Sequence, residues 1–328
     1  MPSVEVEIAS YPIRGAFTIA RGSRTEARTV VCTLREGDHV GRGESVPYAR
    51  YGEDIDEVRA LIEATSLGTD PTVARAELRA AMPAGAARNA LDCALWDLEA
   101  KVTGRPAHMS VCTTPPRPVT TAYTLSLGAV DEMADAARAA RGHRLLKVKL
   151  GGRDGHDGAR IRAVSGAAID CRLILDANEG WSADELPSLM REAARAGVAL
   201  IEQPLPVDED AVLADLPHPV PICADESAHV AADLAALRSR YDYVNIKLDK
   251  AGGLTEALAM RTEARRLGFG VMLGCMVASS LAMAPAVLLA QEADLVDLDG
   301  PLLLARDREP ALHYSGSIVS PPDRALWG

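Results

Sequence analysis

The sequence predicts a two-part α/β protein, in which an eight-stranded parallel barrel follows a smaller α+β domain. Short apolar runs that end in charged residues recur from Lys149 to Lys247 at intervals of 27, 26, 23 and 22 residues, with a further gap of 52 to Asp299. Such an interval accommodates one strand, one helix and two loops, so the pattern is typical of repeated βα units. The first 115 residues lack this repeat, which indicates a separate domain with another architecture.

Residues 1–115 are predicted to form three strands followed by three helices. The strands are expected from alternating or β-branched runs: SVEVEIASY, RTVVCTLRE and HVGRGESV. The clearest helical pattern is AGAARNALDCALWDLEAK, in which apolar side chains recur at helical spacing: Ala87, Leu91, Ala94, Leu95 and Leu98. A meander followed by helices favours an α+β domain.

The barrel is predicted to occupy residues 116–304. Three prolines in TTPPRPV mark the linker that precedes it, and TAYTLSL supplies the first barrel strand. Helical patterns fill the intervals between later strands, among them VDEMADAARAAR, ADELPSLMREAARAG and LTEALAMRTEARRLG. The tail from about 305 to 328 is too irregular for another βα unit, and we expect it to pack back on the N-terminal domain.

Composition narrows the possible partners and compartment. The net charge of −11 and the absence of a basic stripe argue against nucleic acid. The six cysteines are widely spaced and form no CxxC pair, which is typical of free buried thiols in a reducing compartment. No apolar run approaches the ~18 residues of a membrane span, and the N-terminus carries two glutamates where a signal peptide would be apolar. We expect a cytoplasmic protein without a membrane partner.

Three carboxylates follow successive predicted strands: Asp176, Glu202 and Asp225. The carboxyl ends of barrel strands face one pocket, where barrel enzymes carry out their chemistry. Carboxylates converging there repel one another unless a cation lies between them. An all-oxygen ligand set suits a hard ion, Mg²⁺ before Mn²⁺ or Ca²⁺. Each acid could instead cap a helix N-terminus, but three in register favour a metal site.

Three lysines flank this carboxylate set. Lys147 and Lys149 alternate with Val148 and therefore point to one face of their strand, while Lys247 follows a strand on the far side. Burial and cationic neighbours lower the pKa of a lysine towards neutrality. Two such amines on either side of a Lewis acid can remove and return a proton on opposite faces of one carbon.

These motifs together resemble the enolase superfamily, and within it the muconate-lactonizing-enzyme-like subgroup. The resemblance rests on KVK, LDAN, EQP, ADES and NIKLDKAGG, and the helix ALDCALWDL resembles that superfamily's capping domain. It implies a modified TIM (β/α)7β barrel with an α+β capping domain, one Mg²⁺ per subunit (with Mn²⁺ possible) and a homo-oligomer. It also implies acid/base roles for Lys149 and Lys247, assistance from Lys147, and supporting positions beside the ligands for Asn178 and Glu226.

Two features select a reaction within the subgroup, which includes muconate cycloisomerases, o-succinylbenzoate synthases, N-acylamino-acid racemases and dipeptide epimerases. Asp297 and Asp299 share one strand face, and in dipeptide epimerases such a pair holds the substrate's ammonium group. The predicted loop FTIARGSRTEA carries Arg21 and Arg24, and an arginine of this loop binds the glutamate side chain in epimerases acting on L-Ala-Glu; the resemblance favours Arg24. Thr124 is expected as a further substrate contact.

The implied function is epimerisation of L-Ala-D-Glu to L-Ala-L-Glu, with a cellular role in murein-peptide recycling. Alternatives from the same subgroup are an epimerase of another dipeptide, an N-acylamino-acid racemase or a muconate cycloisomerase. A different class is a catalytically inactive barrel that acts as a metal-dependent binding module. The motifs leave open whether Arg21 or Arg24 reads the side chain, and which lysine serves which epimer.

Overall fold

The computed structural model describes residues 2–328. The N-terminal part is a three-stranded antiparallel sheet followed by helices. Its strands are β1 (Ser3–Ile19), β2 (Gly22–Glu36) and β3 (His39–Ser45), followed by a 3-10 turn at Ala49–Tyr51. Its helices are α1 (Ile55–Glu63), α2 (Pro71–Ala81), α3 (Ala86–Thr103) and α4 (His108–Val111).

The segment FTIARGSRTEA forms a hairpin instead of the predicted loop. It extends β1 and β2 beyond a register shift between Pro12 and Phe17, and at its tip Phe17 pairs with Arg24 and Ile19 with Gly22. The expectation of a loop was wrong because the β-branched Thr18 and Ile19 sustain strand pairing next to the turn, with Ser23 and Gly22 as their partners. Arg24 is therefore part of a paired strand, and Arg21 lies in the turn itself.

Helix α3 is buried on nearly every side because it lies between the antiparallel sheet and the barrel. The predicted apolar stripe faces the sheet, where Leu91 and Leu95 belong to the core of the N-terminal part. Strand β3 approaches the helix so closely that a Cβ on Gly41 or Gly43 would collide with helix backbone oxygens. Glycine at these two positions therefore permits the packing of sheet on helix.

The second part is a barrel of eight parallel strands arranged in sequence order, as predicted for the (β/α)7β fold. The short strand β4 (Val119–Thr120) comes first. The barrel strands are β5 (Tyr123–Leu125), β6 (Leu145–Lys149), β7 (Arg172–Asp176), β8 (Leu200–Glu202), β9 (Ile222–Ala224), β10 (Tyr243–Ile246), β11 (Gly270–Leu273) and β12 (Leu295–Val296). The amide of Ala122 donates a hydrogen bond of 2.8 Å to the carbonyl of Val296, which joins the first strand's approach to the last strand.

Helices surround the barrel, with one exception to the predicted pattern. They are α5 (Val130–Ala139), α6 (Asp157–Ala167), α7 (Leu186–Arg195), α8 (Leu234–Leu237), α9 (Leu248–Ala251), α10 (Leu254–Leu267), α11 (Ser280–Leu289) and α12 (Gly300–Leu303). The connection after β8 contains only a 3-10 turn at Asp210–Asp215. Short 3-10 turns also precede α8 at Ala231–Asp233 and follow α11 at Ala290–Glu292.

The alternation of side chains along each strand places the charged residues inside the barrel. On β6, Leu145 belongs to an apolar floor inside the barrel, whereas Lys147 and Lys149 follow at offsets of two and four on the same face. The same offset relates floor residues to acids on the next three strands: Ile174 and Asp176, Leu200 and Glu202, Cys223 and Asp225. The charged residues that recur along the sequence therefore form a ring inside the barrel, above a layer of apolar side chains.

The C-terminal tail packs against the N-terminal part of the molecule. Its strands β13 (Tyr314–Ser315) and β14 (Ile318–Val319) pair with each other, and β14 also pairs with β4. The indole of Trp327 donates a hydrogen bond of 3.0 Å to the carbonyl of Cys93, and the amide of Gly328 donates one of 2.7 Å to Asp97 Oδ1. The end of the chain therefore packs against α3.

All six cysteines are free thiols, as the sequence predicts, although only three are fully buried and Cys112, Cys171 and Cys275 are partly exposed. Between residues 2 and 328, no helix combines the length and apolar character needed to cross a membrane.

Candidate active site

A cavity of about 190 Å³ lies at the carboxyl end of the barrel, beneath the capping hairpin and the segment after β3. Ten of the predicted site residues line it: Arg24, Thr124, Lys147, Lys149, Asn178, Asp225, Glu226, Lys247, Asp297 and Asp299. The remaining two, Asp176 and Glu202, are fully buried beneath the lysines. Every residue singled out from the sequence therefore belongs to one place in the fold.

Lys147 is the centre of the ion-pair network on the cavity floor. Its Nζ lies 2.8 Å from Asp297 Oδ2, 2.8 Å from Glu202 Oε2 and 3.1 Å from Asp176 Oδ2. The side chain is 1% exposed, so these contacts replace its hydration completely. Its three carboxylate partners fix it in place, which suits a group that stabilises charge more than one that moves.

Lys149 and Lys247 each lie closest to a different carboxylate of the predicted metal set. Lys149 Nζ lies 2.6 Å from Asp176 Oδ2, and Lys247 Nζ lies 2.7 Å from Asp225 Oδ2. Their strands, β6 and β10, are four positions apart in an eight-stranded barrel, so the two amines approach the cavity from opposite sides. This is the arrangement that proton transfer on two faces of one carbon requires.

The protein's own groups shift the pKa of Lys147 and Lys247 in the direction opposite to the expectation from the sequence. Burial lowers the pKa of Lys147, but Asp297, Glu202 and Asp176 raise it well above the ordinary value. The pKa of Lys247 is likewise lowered by burial and raised further by Asp225, with a net rise. That expectation considered cationic neighbours, whereas the carboxylates around each amine have the larger effect.

The carboxylates respond to each other as well as to the lysines. Burial opposes ionisation of Asp176, yet Lys149 and Lys147 hold its pKa below the ordinary value. For Glu202, burial and the charge of Asp176 raise the pKa to about 8. The lysines alone therefore do not stabilise all three carboxylates as anions, which leaves a demand for further positive charge.

The oxygen ligands fit a hard divalent cation, although the carboxylates contact lysine amines and are not arranged as a coordination sphere. Among residues 2–328, no three acidic, histidine or cysteine side chains form a preassembled metal cluster, because lysine amines lie between the carboxylates. In the described part of the chain, the buried Asn178 Oδ1 nevertheless lacks a hydrogen-bond donor, and Glu202 Oε2 and Asp225 Oδ1 contact only the amines of Lys147 and Lys250, at 2.8 and 2.7 Å. A cation would satisfy these acceptors if Lys149 and Lys247 turned towards the cavity.

The segments that follow the acids adopt rare backbone conformations. Asn178, Glu179 and Gln203 have φ values of 45°, 66° and 32°, in the region that side chains usually avoid. Asn178 Nδ2 donates to Glu226 Oε1 at 3.3 Å, so the two predicted supporting residues contact each other. Strained backbone maintained by surrounding contacts clusters at functional sites, and here it directly follows Asp176 and Glu202.

Asp297 and Asp299 form a buried acidic pair on the wall formed by the end of β12. Asp299 Oδ2 accepts a hydrogen bond of 2.6 Å from the amide of Thr124, while Asp297 Oδ1 has no donor among the described residues. Burial and the neighbouring Asp297 raise the pKa of Asp299 to about 7. A pair with a free acceptor and a raised pKa favours a cationic ligand group.

The two arginines of the hairpin differ in their contacts. Arg21 binds barrel groups: its guanidinium lies 2.7 Å from Glu226 Oε1 and 3.1 Å from Glu179 Oε2. Arg24 has no ion-pair or hydrogen-bond partner within residues 2–328, and its guanidinium stacks 5.5 Å from the Tyr48 ring centre at the cavity. The geometry therefore leaves Arg24 available to bind an anionic group.

Several neighbours of the site were not identified from the sequence. Lys250 is buried against Asp225, with Nζ 2.7 Å from Oδ1, and Asn245 Nδ2 donates to Glu202 Oε1 at 2.9 Å. Asn245 precedes Lys247 by two residues on the same strand face, a pattern that could have revealed it. Glu179 could not be found this way, because its partners Arg21 and Arg50 belong to the other domain.

Comparisons with known proteins agree with this geometry along the whole chain. Residues 129–324 match the family described as enolase C-terminal domain-like, and residues 3–109 match the mandelate racemase / muconate lactonizing enzyme, N-terminal domain. The L-Ala-D/L-Glu epimerase of Escherichia coli (strain K12) is 48% identical over 96% of this chain and 98% of its own length. The N-acetyl-D-glutamate racemase of a Pseudoalteromonas species is 45% identical over 91% and 95%.

Solved structures give the same result. An enolase family member from Agrobacterium tumefaciens, described as homologous to dipeptide epimerases and bound to sodium and L-Ala-L-Glu, superposes with a TM-score of 0.96. It is 53% identical and covers all of both chains. Dipeptide epimerases from other bacteria, 26–30% identical, are complexed with Mg and a dipeptide.

Proposed function

Because this chain belongs to the enolase superfamily, in its mandelate racemase and muconate lactonizing enzyme family, we propose that its cavity is the active site of a dipeptide epimerase. The reaction is a 1,1-proton transfer at the α-carbon of the C-terminal residue, which interconverts L-Ala-D-Glu and L-Ala-L-Glu. The observation that carries the proposal is the placement of Lys149 and Lys247 on opposite sides of one cavity. Relatives that bear the corresponding names support it.

In this mechanism one lysine accepts the α-proton and the other donates a proton to the opposite face. For the D-to-L direction, one of Lys149 and Lys247 enters the step as a neutral amine and the other as an ammonium ion. In the reverse direction the roles exchange. Lys147 stays protonated between its three carboxylates and adds positive charge beside the reacting carboxylate of the substrate.

Asp176, Glu202 and Asp225 are the residues that would hold Mg²⁺, with Mn²⁺ as a possible substitute. When bound, the cation supplies Lewis-acid stabilisation of the negative charge that develops on the substrate carboxylate. The residues' own contribution is to keep three buried carboxylates together on neighbouring strands, with Asn178 and Glu226 beside them. Lys149 and Lys247 must leave Asp176 and Asp225 before they can reach a substrate.

The walls of the cavity account for recognition of both ends of the dipeptide. Asp297 and Asp299 bind the α-ammonium group, and Thr124 holds Asp299 in place through its amide. Arg24 binds the side-chain carboxylate of the glutamate residue, because its guanidinium faces the cavity and has no partner among residues 2–328. The dipeptide's ammonium group and its side-chain carboxylate therefore each meet residues of opposite charge.

A racemase of N-acylglutamate is the second candidate, because one relative carries that name. The acidic pair argues against it. An N-acyl substrate has no ammonium group, so it would leave Asp299 and the free Oδ1 of Asp297 buried with Lys147 as the only cation beside the pair, at a cost in binding free energy. Arg24 does not discriminate, because both substrates present a glutamate side chain.

Incubation in D₂O with Mg²⁺ tests the proposed reaction and separates it from the alternatives. We expect L-Ala-D-Glu to gain one deuterium at the α-carbon of glutamate while L-Ala-L-Glu accumulates, and N-acetyl-D-glutamate to react more slowly. Preference for the N-acyl substrate would favour the racemase. No α-deuteration of any dipeptide or N-acylamino acid would leave a metal-dependent binding module.

The proposal extends to the cell. L-Ala-D-Glu is a fragment of the cell-wall peptide, so the enzyme would act in murein-peptide recycling, in the cytoplasm, where such fragments are reused. A strain that lacks the enzyme should fail to grow on L-Ala-D-Glu as its sole source of glutamate.

A further inference from the structure

Glu179 is a buried carboxylate that the proposed mechanism does not use. It receives ion pairs from two separate segments of the capping domain. Arg21, at the hairpin tip, lies 3.1 Å from Glu179 Oε2, and Arg50, in the 3-10 turn after β3, lies 2.7 Å from Oε1 and 2.8 Å from Oε2. The Glu179 side chain is 9% exposed; apart from the amide of Val207, which donates to Oε1 at 3.3 Å, the two arginines are its described partners.

The backbone of Glu179 provides a rigid base for these contacts. Its φ of 66° continues the unusual conformation of Asn178, and its amide donates a hydrogen bond of 2.9 Å to the carbonyl of Gln203. Such a conformation is maintained only where the surrounding contacts determine it. The carboxylate is therefore fixed relative to the barrel, only three residues after Asp176.

Besides the apolar packing of Phe17 near Leu304, the hairpin tip is attached to the barrel through polar contacts. Besides Glu179, Arg21 binds Glu226 Oε1 at 2.7 Å and the carbonyl of Asn178 at 2.9 Å. The amide of Leu127 donates to the carbonyl of Thr18 at 3.0 Å. Polar contacts of this kind can break and re-form without exposing a large apolar surface, so they suit a segment that opens for substrate.

Arg24 depends on the same attachment. It follows Arg21 by three residues in one hairpin, and it has no ion pair of its own among the described residues. The position of its guanidinium over the cavity is therefore set by where the hairpin lies. Arg50 adds a second restraint. It belongs to the turn next to Tyr48, whose ring Arg24 stacks on, and it binds the carboxylate of Glu179.

We propose that Glu179 is a positioning residue: by binding Arg21 and Arg50 together it holds the capping hairpin closed and thereby sets the position of Arg24 over the cavity. The inference rests on the proposed function, because it assigns Arg24 to the substrate's side-chain carboxylate. We call Glu179, Arg21 and Arg50 the clamp. Arg24 binds the substrate, and the clamp residues position Arg24.

The test compares Glu179→Gln, Arg50→Gln and the double variant with the wild-type holoenzyme. Glu192→Gln, which removes a charge from surface ion pairs with Arg162 and Arg195, is the matched control. Hydrogen exchange of the Leu127 amide reports hairpin opening, because that amide is bonded to Thr18. Kinetics with L-Ala-L-Glu and L-Ala-L-Leu report the position of Arg24, and thermal unfolding identifies a variant that fails to fold.

We expect Glu179→Gln to speed exchange at Leu127 about 5- to 10-fold and to lower kcat/KM for L-Ala-L-Glu roughly 10-fold, mainly through KM. The preference for L-Ala-L-Glu over L-Ala-L-Leu should fall by at least about threefold. Arg50→Gln should produce a smaller change in the same direction. The double variant should show less than the sum of the two single effects, because both remove one clamp.

Unchanged exchange in Glu179→Gln and Arg50→Gln would overturn the clamp, even if activity fell. Faster exchange with an unchanged substrate preference would overturn the link to Arg24. If Glu179→Gln does not fold, the Arg50→Gln variant, altered on a partly exposed side chain, decides by the same two measurements. Exchange at Leu127 needs no substrate, so it tests the clamp even if wild-type enzyme proves inactive on dipeptides, a result that would instead refute the proposed function.

Discussion

The barrel mouth and the capping hairpin contribute charged side chains to the same cavity but hold them in different ways. In the barrel, Lys147 and Lys149 are placed by strand alternation and are almost fully buried. In the hairpin, Arg24 is exposed and unpaired within residues 2–328, and its place depends on the ion pairs of Arg21. The backbone positions of the groups that carry out chemistry are thus fixed by the fold, whereas the arginine proposed to bind the substrate's side chain belongs to a segment that can move.

This difference has a physical basis in what each task requires. Proton transfer needs two amines held at defined positions on opposite faces of one carbon, and strands of a closed barrel provide that rigidity. Substrate entry needs an opening, so the cover over the cavity must be attached by contacts that can be broken.

Removal of either acid/base lysine should have the largest effect. Lys149→Ala and Lys247→Ala are each expected to lower kcat for epimerisation by about 10³-fold or more, because both directions of transfer need one base and one acid. The assay is interconversion of L-Ala-D-Glu and L-Ala-L-Glu. Arg162→Ala, a change on the exposed surface, serves as the control, and near wild-type epimerisation by either lysine variant would contradict the assignment.

Removal of the metal should abolish activity, and a change to one of its ligands should weaken metal binding. Chelation followed by assay should give an inactive enzyme that Mg²⁺ restores. Glu202→Gln removes one of three anionic ligands and is expected to weaken Mg²⁺ binding on the order of 10- to 100-fold, as measured by calorimetry. Glu185→Gln, on the surface, should bind Mg²⁺ normally. Full activity in a demonstrably metal-free preparation would disprove the role of the carboxylate set.

The movable region should affect substrate choice more than chemistry. Arg24→Ala is expected to lower kcat/KM for L-Ala-L-Glu by roughly 10- to 100-fold, because a charge-assisted pair with a carboxylate contributes about 1.5–3 kcal/mol. The uncharged L-Ala-L-Leu should be affected far less. An equal fall for both dipeptides would mean that Arg24 supports the hairpin and does not read the substrate.

The acidic pair at the end of β12 should make binding depend on pH. Burial and Asp297 raise the pKa of Asp299 to about 7, so Asp299 loses its charge as the pH falls through that value. Dipeptide affinity should therefore rise with pH up to about 7, by as much as tenfold per unit, and fall again above about 8 as the dipeptide amine deprotonates. Calorimetric titration of L-Ala-L-Glu at several pH values checks this. The rise below pH 7 should be absent in Asp299→Asn.

The two regions also differ in how far their structure could be predicted from the sequence. The period of the βα units and the two-residue alternation within strands place Lys149 and Asp176 on one face, because both patterns are visible along the sequence itself. The contacts of Arg21 with Glu179 and Glu226 join residues 158 and 205 positions apart. No local pattern encodes such contacts, so the clamp cannot be predicted from the sequence.

The most direct test of the central claim, that Lys149 and Lys247 face each other across the substrate, is stereospecific deuterium exchange by the two single variants. Each variant, with Mg²⁺ in D₂O, is incubated separately with L-Ala-D-Glu and L-Ala-L-Glu, and α-deuterium is measured by mass spectrometry. We predict that one variant exchanges only the D epimer and the other only the L epimer, because the remaining lysine removes and returns the proton on its own face. Exchange of the same epimer by both variants would contradict the claim.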